Sequence, residues 1–155
     1  MFWGLEERLA YRRHYPAINW LTSYSLYLDQ LEAFYQKEVG EDWSRMRREA
    51  MGILQQEAAL EEIVRLVGVE ALSKEEQLLL HVARIIREDY LQQNAFDPID
   101  TYTSLHKQQR LLASIMLLFN EAKTRLNSAP YSMQNFLDLD VLQKIAQAKM
   151  TPEEE

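Results

Sequence analysis

The chain has 155 residues, 47% hydrophobic and 26% charged, with a net charge of -7, 4 glycines, 4 prolines and no cysteine. That length fits one ordinary domain able to bury roughly 70% of the surface its unfolded form exposes, and the composition is too apolar for disorder and too interrupted by charge for a membrane span. The acidic balance opposes general nucleic-acid binding, the missing thiols exclude disulfides and thiolate metal sites, and "MFWGLEERLAYRR" lacks the apolar stretch and cleavage site of a secretory signal, so a cytosolic, all-α protein is expected.

Leu5 to Arg13 reads as a short helix that must stop near His14, because Pro16 cannot sit in a helix interior and pushes the residue before it out of the α region. The run "SYSLYLDQLEAFYQKEV" spaces Tyr24, Tyr27, Leu28, Leu31, Phe34 and Tyr35 three and four apart, an amphipathic helix whose aromatic stripe serves a core or an interface. From Glu41 to Val67 the residues Met46, Ala50, Ile53, Leu60, Val64 and Val67 share one face of what should be the longest helix, ended by a left-handed Gly68. "SKEE" is a capping box in which Ser73 and Glu76 satisfy each other's backbone amides. The helix it opens carries Leu79, Val82, Ala83, Ile86 and Tyr90 through about Gln92, where "NAFDPIDTY" breaks it. Ser104 caps the next helix, with a face of Leu105, Leu112, Ile115, Phe119, Ala122 and Leu126 that "NSAPYS" ends. At most two short helices follow, capped by Ser132 and by Asp138 or Asp140, and "TPEEE" reads as a frayed tail.

No phosphate-loop, dinucleotide, nucleophile-elbow or HExxH pattern is present, which excludes those routes to phosphate or zinc binding. His14, His81 and His106 stand alone, without partners at metal-ligand spacing. Glu61, Glu62, Glu75, Glu76, Asp97 and Asp100 are accounted for by helix solubility and caps. Arg12, Arg13, Arg45, Arg47 and Arg48 read as solvated faces or ion-pair partners. Tyr15, stiffened by Pro16, and Phe96, on a polar loop, break the local rules, which is where function tends to show. Each either plugs a loop onto the core or offers a face on which a planar base can stack. On residues alone, a free-standing helical interaction module presenting its aromatic stripe to a partner is also open.

The words "FWGLEERLAYRRHYPAINWLTSYSLY", "ILQQEAALEEIVRLVGVEALS" and "IIREDYLQQNAFDPIDTY", at their spacing, resemble the C-terminal region of the catalytic subunit, the alpha chain, of V/A-type rotary ATPases and ATP synthases, over residues 2 to 149. "RRHYPAINW" and "QQNAFD" resemble that subunit rather than its non-catalytic partner, and "PAINW" and "NAFD" resemble its archaeal and bacterial members. The resemblance implies that residues 1–20 are the tail of a nucleotide-binding domain, its last short helix and extended segment, and that residues 21–155 form a C-terminal bundle of about six helices. It places the phosphate loop, the catalytic glutamate and a β-barrel upstream of Met1, so the catalytic groups lie elsewhere and this piece alone turns over no ATP. No cofactor or metal is expected within it, ATP or ADP and Mg2+ belonging to the whole subunit.

By the same resemblance Tyr15 and Pro16, with Asn94, Ala95 and Phe96, flank an adenine ring. Many members carry phenylalanine where Tyr15 stands, and tyrosine keeps the aromatic face. "VGVEALSKEEQ" matches the helix-turn-helix tip that meets the central rotor, giving Glu70, Ser73, Lys74, Glu75 and Glu76 as contact residues; read without the family, it is a solvated, capped turn. The implied partners are the non-catalytic, B-type subunit across a hexamer interface and central-stalk subunits of the D/F type, at the cytoplasmic face of a membrane that the chain itself does not enter. Phe2, Trp3 and Trp20 are expected as exposed residues of the seam between domains. Members usually continue into a further helical stretch beyond the position of Glu155.

Overall fold

The computed structural model of the chain describes residues 1–128 and 130–153. The first residues pair instead of coiling: β1 (Phe2–Leu5) runs antiparallel to β2 (Ile18–Tyr24), with Gly4 opposite Asn19 and Leu5 opposite Ile18. A Cβ at Gly4 would run into the Thr22 hydroxyl, so the hairpin needs a glycine there. Helix α1 is therefore shorter than the expected Leu5–Arg13 span and covers only Glu7–Tyr11. Leu5 is held by its strand partner, and the helix ends when Arg13 turns left-handed at φ 56°. The amides of Arg13 and His14 return to the carbonyls of Ala10 and Leu9, both at 2.9 Å, the two bonds of a Schellman ending. Tyr24, expected in the next helix, lies in β2 and stacks on Phe2 with ring centres 5.5 Å apart.

Helix α2 (Leu28–Glu38) fully buries none of its residues: Tyr35 packs against the core beside Trp43, with ring centres 6.3 Å apart, while Leu31 and Phe34 of the same stripe are exposed. Helix α3 (Trp43–Val67) is the long one, and Gly68 closes it at φ 85°. Val64 packs against the core, but Val67, expected on the same face, is 61% exposed, one turn past the last contact that face makes. A single 3₁₀ turn (Val69–Ala71) leads to α4 (Lys74–Ile85), which continues as a π turn (Ile86–Leu91) to the expected stop near Gln92. Helix α5 (Leu105–Leu126) starts at the Ser104 cap, with Leu105 on its exposed side rather than in the core.

Helix α6 (Met133–Leu137) carries a Ser132 capping box. Helix α7 (Asp140–Ala148) has Leu139 at its cap, in place of the expected aspartate. Asp138 is taken up in ending α6, and Asp140 already lies in the first turn of α7, where a carboxylate still meets the positive end of the helix dipole. The tail is not frayed through Glu153, which bonds Ser104; Glu154 and Glu155 lie outside the described residues, as does Ala129 of "NSAPYS".

Six α-helices thus follow residue 21 among the described residues, and the fold is helical as the composition implied. The core lies between α3, α4 and α5, where Leu78, Val82, Leu112 and Ile115 are sealed, and α6 and α7 close it with Phe136 and Ile145. Among the described residues no helix is long and apolar enough to cross a membrane.

Candidate functional site

Two segments far apart in sequence meet at one edge of the bundle. His14, 8% exposed, tilts against Trp20 with ring centres 5.6 Å apart, and Trp20 packs on the core instead of standing free at the seam as expected. Tyr15, next to His14 in the chain and joined to Pro16 by a cis peptide bond, is 55% exposed. The Tyr15 carbonyl accepts the amide of Gln93 at 2.7 Å. The segment that ends α1 is thereby tied, through one short backbone bond, to the loop that leaves the π turn.

The loop itself is organised by two aspartates. The Asp97 carboxylate accepts the amides of Ile99 (2.8 Å) and Asp100 (2.9 Å) through one oxygen, and the bond from the Asp100 amide, then that from Ile99, holds its pKa below the ordinary value. Asp100, 1% exposed, turns inward and accepts the Asn94 amide at 2.6 Å, while its carbonyl accepts from the Gln93 side chain at 3.1 Å. The Asn94 side chain accepts the Phe96 amide at 3.0 Å, which turns the chain outward. Asn94 and Ala95 are exposed, and the Phe96 ring is 99% exposed. An aromatic with so little contact within its own chain is not a core plug. Neither Tyr15 nor Phe96 plugs its loop onto the core; both stand exposed.

Beneath this edge lies a charged layer with no local signal in the sequence. Arg87 of the π turn grips Glu57 of α3 with Nε at 3.1 Å from both carboxylate oxygens and Nη2 at 2.9 Å from Oε1. Glu57 is 7% exposed, and burial pushes its carboxyl above the usual range more than Arg87 pulls it down. Burial likewise pushes His14 down, with Arg87 and Lys149 adding to the effect, and pushes Asp89 up against the pull of Lys149. The Arg87–Glu57 pair spans 30 positions, so only packing brings it together.

At the other end of the molecule the five tip residues are not equivalent. Ser73 and Glu76 form the expected box, the carboxylate accepting the Ser73 amide at 2.8 Å and hydroxyl at 2.7 Å. Glu75 is drawn sideways to α5, accepting from Asn127 at 3.1 Å and facing Lys123 at 3.8 Å. Glu70 and Lys74 are exposed. Beside them Ile63, Leu66, Val67 and Val69 also face outward, Leu66 at 83% exposure. This apolar patch escaped the sequence reading because Val67 fits the helical period of the core face.

The family model for the C-terminal domain of V and A type ATP synthase matches residues 32–135. The chain is 53% identical to the V-type ATP synthase alpha chain of Clostridium botulinum over 99% of its own length and 26% of that protein's. It is 52% identical to V-type ATP synthase alpha chain 1 of Clostridium tetani and 53% identical to the alpha chain of Acetivibrio thermocellus, over 100% of this chain and 26% of each relative. It therefore spans about a quarter of the length of the curated relatives it matches.

Proposed function

Because this chain belongs to the family of C-terminal domains of V and A type ATP synthases, we propose that it closes the adenine side of the nucleotide site in the catalytic subunit of a rotary ATPase, passing the resulting motion to a central rotor. Residues 1–20 end the nucleotide-binding domain and β2 leads into the bundle that follows. Tyr15 on Pro16 and Phe96 beside Asn94 and Ala95 are the two plates. The observation that carries this reading is the 2.7 Å bond from the Gln93 amide to the Tyr15 carbonyl, which joins the two segments while both rings stay exposed. A purine held by its phosphates in the upstream domain would fill the space these faces leave open. Binding would then draw the bundle inward as a hinged closure.

The stiffness needed to transmit that swing comes from α3 and α4, which share the core and meet at the capped tip. Glu70, Ser73, Lys74, Glu75 and Glu76 mark the rotor-facing end, and D/F-type stalk subunits are the partners there, with the non-catalytic, B-type subunit across the hexamer interface. In this reading the complex couples ATP synthesis or hydrolysis to H+ or Na+ transport and sits peripherally on the cytoplasmic face of the membrane. ATP or ADP and Mg2+ are bound by the whole subunit.

The test is Phe96→Ala in the full-length subunit, read by calorimetric titration with ATP. Stacking of about 1–3 kcal/mol per base predicts roughly a 5- to 150-fold loss of affinity. Unchanged affinity would remove the adenine assignment. The purified 155-residue chain should turn over no ATP, and turnover proportional to its concentration would overturn the placing of catalysis upstream.

A further inference from the structure

The segment carrying Phe96 is held at both ends by the C-terminal turn. In the π turn, Gln92 donates to the Arg87 carbonyl at 2.9 Å, five residues back. Continuing that ladder by one residue would bring the Gln93 amide to the Glu88 carbonyl. That amide is spent on Tyr15 instead. The missing donor is the Lys149 ammonium, which bonds the carbonyls of Glu88 at 2.8 Å and Gln92 at 3.2 Å. Lys149 thus satisfies the oxygen that the Tyr15 contact leaves without its partner.

At the far end of the segment, Glu153 accepts the Ser104 amide at 3.1 Å and its hydroxyl at 2.7 Å. Between the two, Lys107 of α5, 8% exposed, donates to the carbonyls of Lys149 at 2.7 Å and Thr151 at 2.8 Å. It ends α7 and fixes the turn in place, as cations near a helix C-terminus do.

We propose that residues 149–153 are a clasp that fixes the 92–104 segment, and that Lys149 is a positioning residue for the Tyr15 and Phe96 plates, acting through the Glu88 and Gln92 carbonyls without touching nucleotide. The second half of this rests on the adenine-side reading above; the first does not. The Lys149 charge also adds to the lowering of the His14 pKa, after burial and Arg87.

The experiment uses the full-length subunit with Lys149→Met, Lys149→Arg, Glu153→Gln and Phe96→Ala, numbered as in this chain. Amide hydrogen exchange is followed by mass spectrometry over residues 86–104, and ATP affinity by calorimetry. Lys149→Met should speed exchange in that window by about tenfold or more, the scale of losing bonds to a charged donor, while residues 43–67 keep their protection. It should also weaken ATP binding, though less than Phe96→Ala, and Lys149→Arg should restore both. Unchanged exchange in the window overturns the clasp. Faster exchange with a loss of ATP affinity in Phe96→Ala but not in Lys149→Met overturns the positioning role. Faster exchange with no affinity change in either variant removes the adenine reading and leaves the clasp standing. If Lys149→Met loses protection everywhere, the exposed Glu153→Gln decides, and unchanged exchange over residues 101–105 then overturns the clasp.

Discussion

Arg87→Met is the sharpest probe of the charged layer under the site. It leaves Glu57, 7% exposed, without the fork that meets both of its oxygens. Breaking a buried pair at one end costs about 3–5 kcal/mol. The lower part of that range is expected, because the Arg87 side chain keeps 19% of its surface in water. Against a total stability of about 5–15 kcal/mol, and at roughly 2–4 °C per kcal/mol for a chain of this size, Tm should drop by about 6–15 °C. Glu57→Leu combined with Arg87→Met should instead lie within about 1 kcal/mol of the parent or above it, since neither charge then needs to leave water.

The pH dependence follows from the same balance. Burial, followed by the neighbouring Glu61 and Glu88 charges, outweighs Arg87 and raises the Glu57 pKa. A raised folded value means that the proton stabilises the fold: the contribution is complete below the ordinary glutamate range and is lost as pH rises through the raised value. Removing Arg87 raises it further, so the Arg87→Met deficit should shrink as pH falls from about 7 to about 5. Urea unfolding followed by circular dichroism, with both single variants and the double at the two pH values, measures all of this. A loss under about 1 kcal/mol for Arg87→Met, or a double variant costing the sum of the singles, would refute the reasoning.

Phe136, 0% exposed on a five-residue helix, is the plug that joins α6 to α4. Phe136→Ala should cost about 3–5 kcal/mol by urea unfolding, and a value near zero would show that α6 is not part of the core. Ser73→Ala should cost about 1 kcal/mol through loss of the cap, checked by the unfolding midpoint. In the parent, Glu76, held below the ordinary value by the Ser73 hydroxyl and then its amide, should add stability that is lost as pH falls through the acidic range. His14 and His81 both have lowered pKa values, each chiefly from burial. Their contribution is therefore full above about pH 6.5 and is lost as pH falls through the lowered values. Replacing both with glutamine should flatten the stability profile between about pH 7 and 5.

Much of the fold was legible because local rules decide it. The Ser73, Ser104 and Ser132 caps, the long helix before Gly68 and the stop near Gln92 each depend on residues within one or two turns of one another. The exposure of Phe96 was not settled by the sequence, which marked it as an aromatic on a polar loop and left open whether it plugs the core or faces outward. Elements whose partner lies far along the chain were misread. Leu5 belongs to a strand because Ile18 comes to meet it, Tyr24 because the hairpin extends that far, and Val67 is exposed because the core ends before the helix does. Trp20 turns inward for a similar reason, having His14 and the core to pack against.

The sequence by itself determined the longer helices with their buried faces, the Ser73, Ser104 and Ser132 caps and the two aromatics that disobey local preference, because helical periodicity, hydrogen bonds within a turn and the constraint of a proline ring act over a few residues. Only the tertiary structure decided where the core ends along α3, that the Gln93 amide reaches Tyr15, that Arg87 finds Glu57 and that Lys149 completes the π turn. Each of those contacts joins groups 30 or more positions apart, and such pairings are set by how the core packs, a property no window of the chain carries.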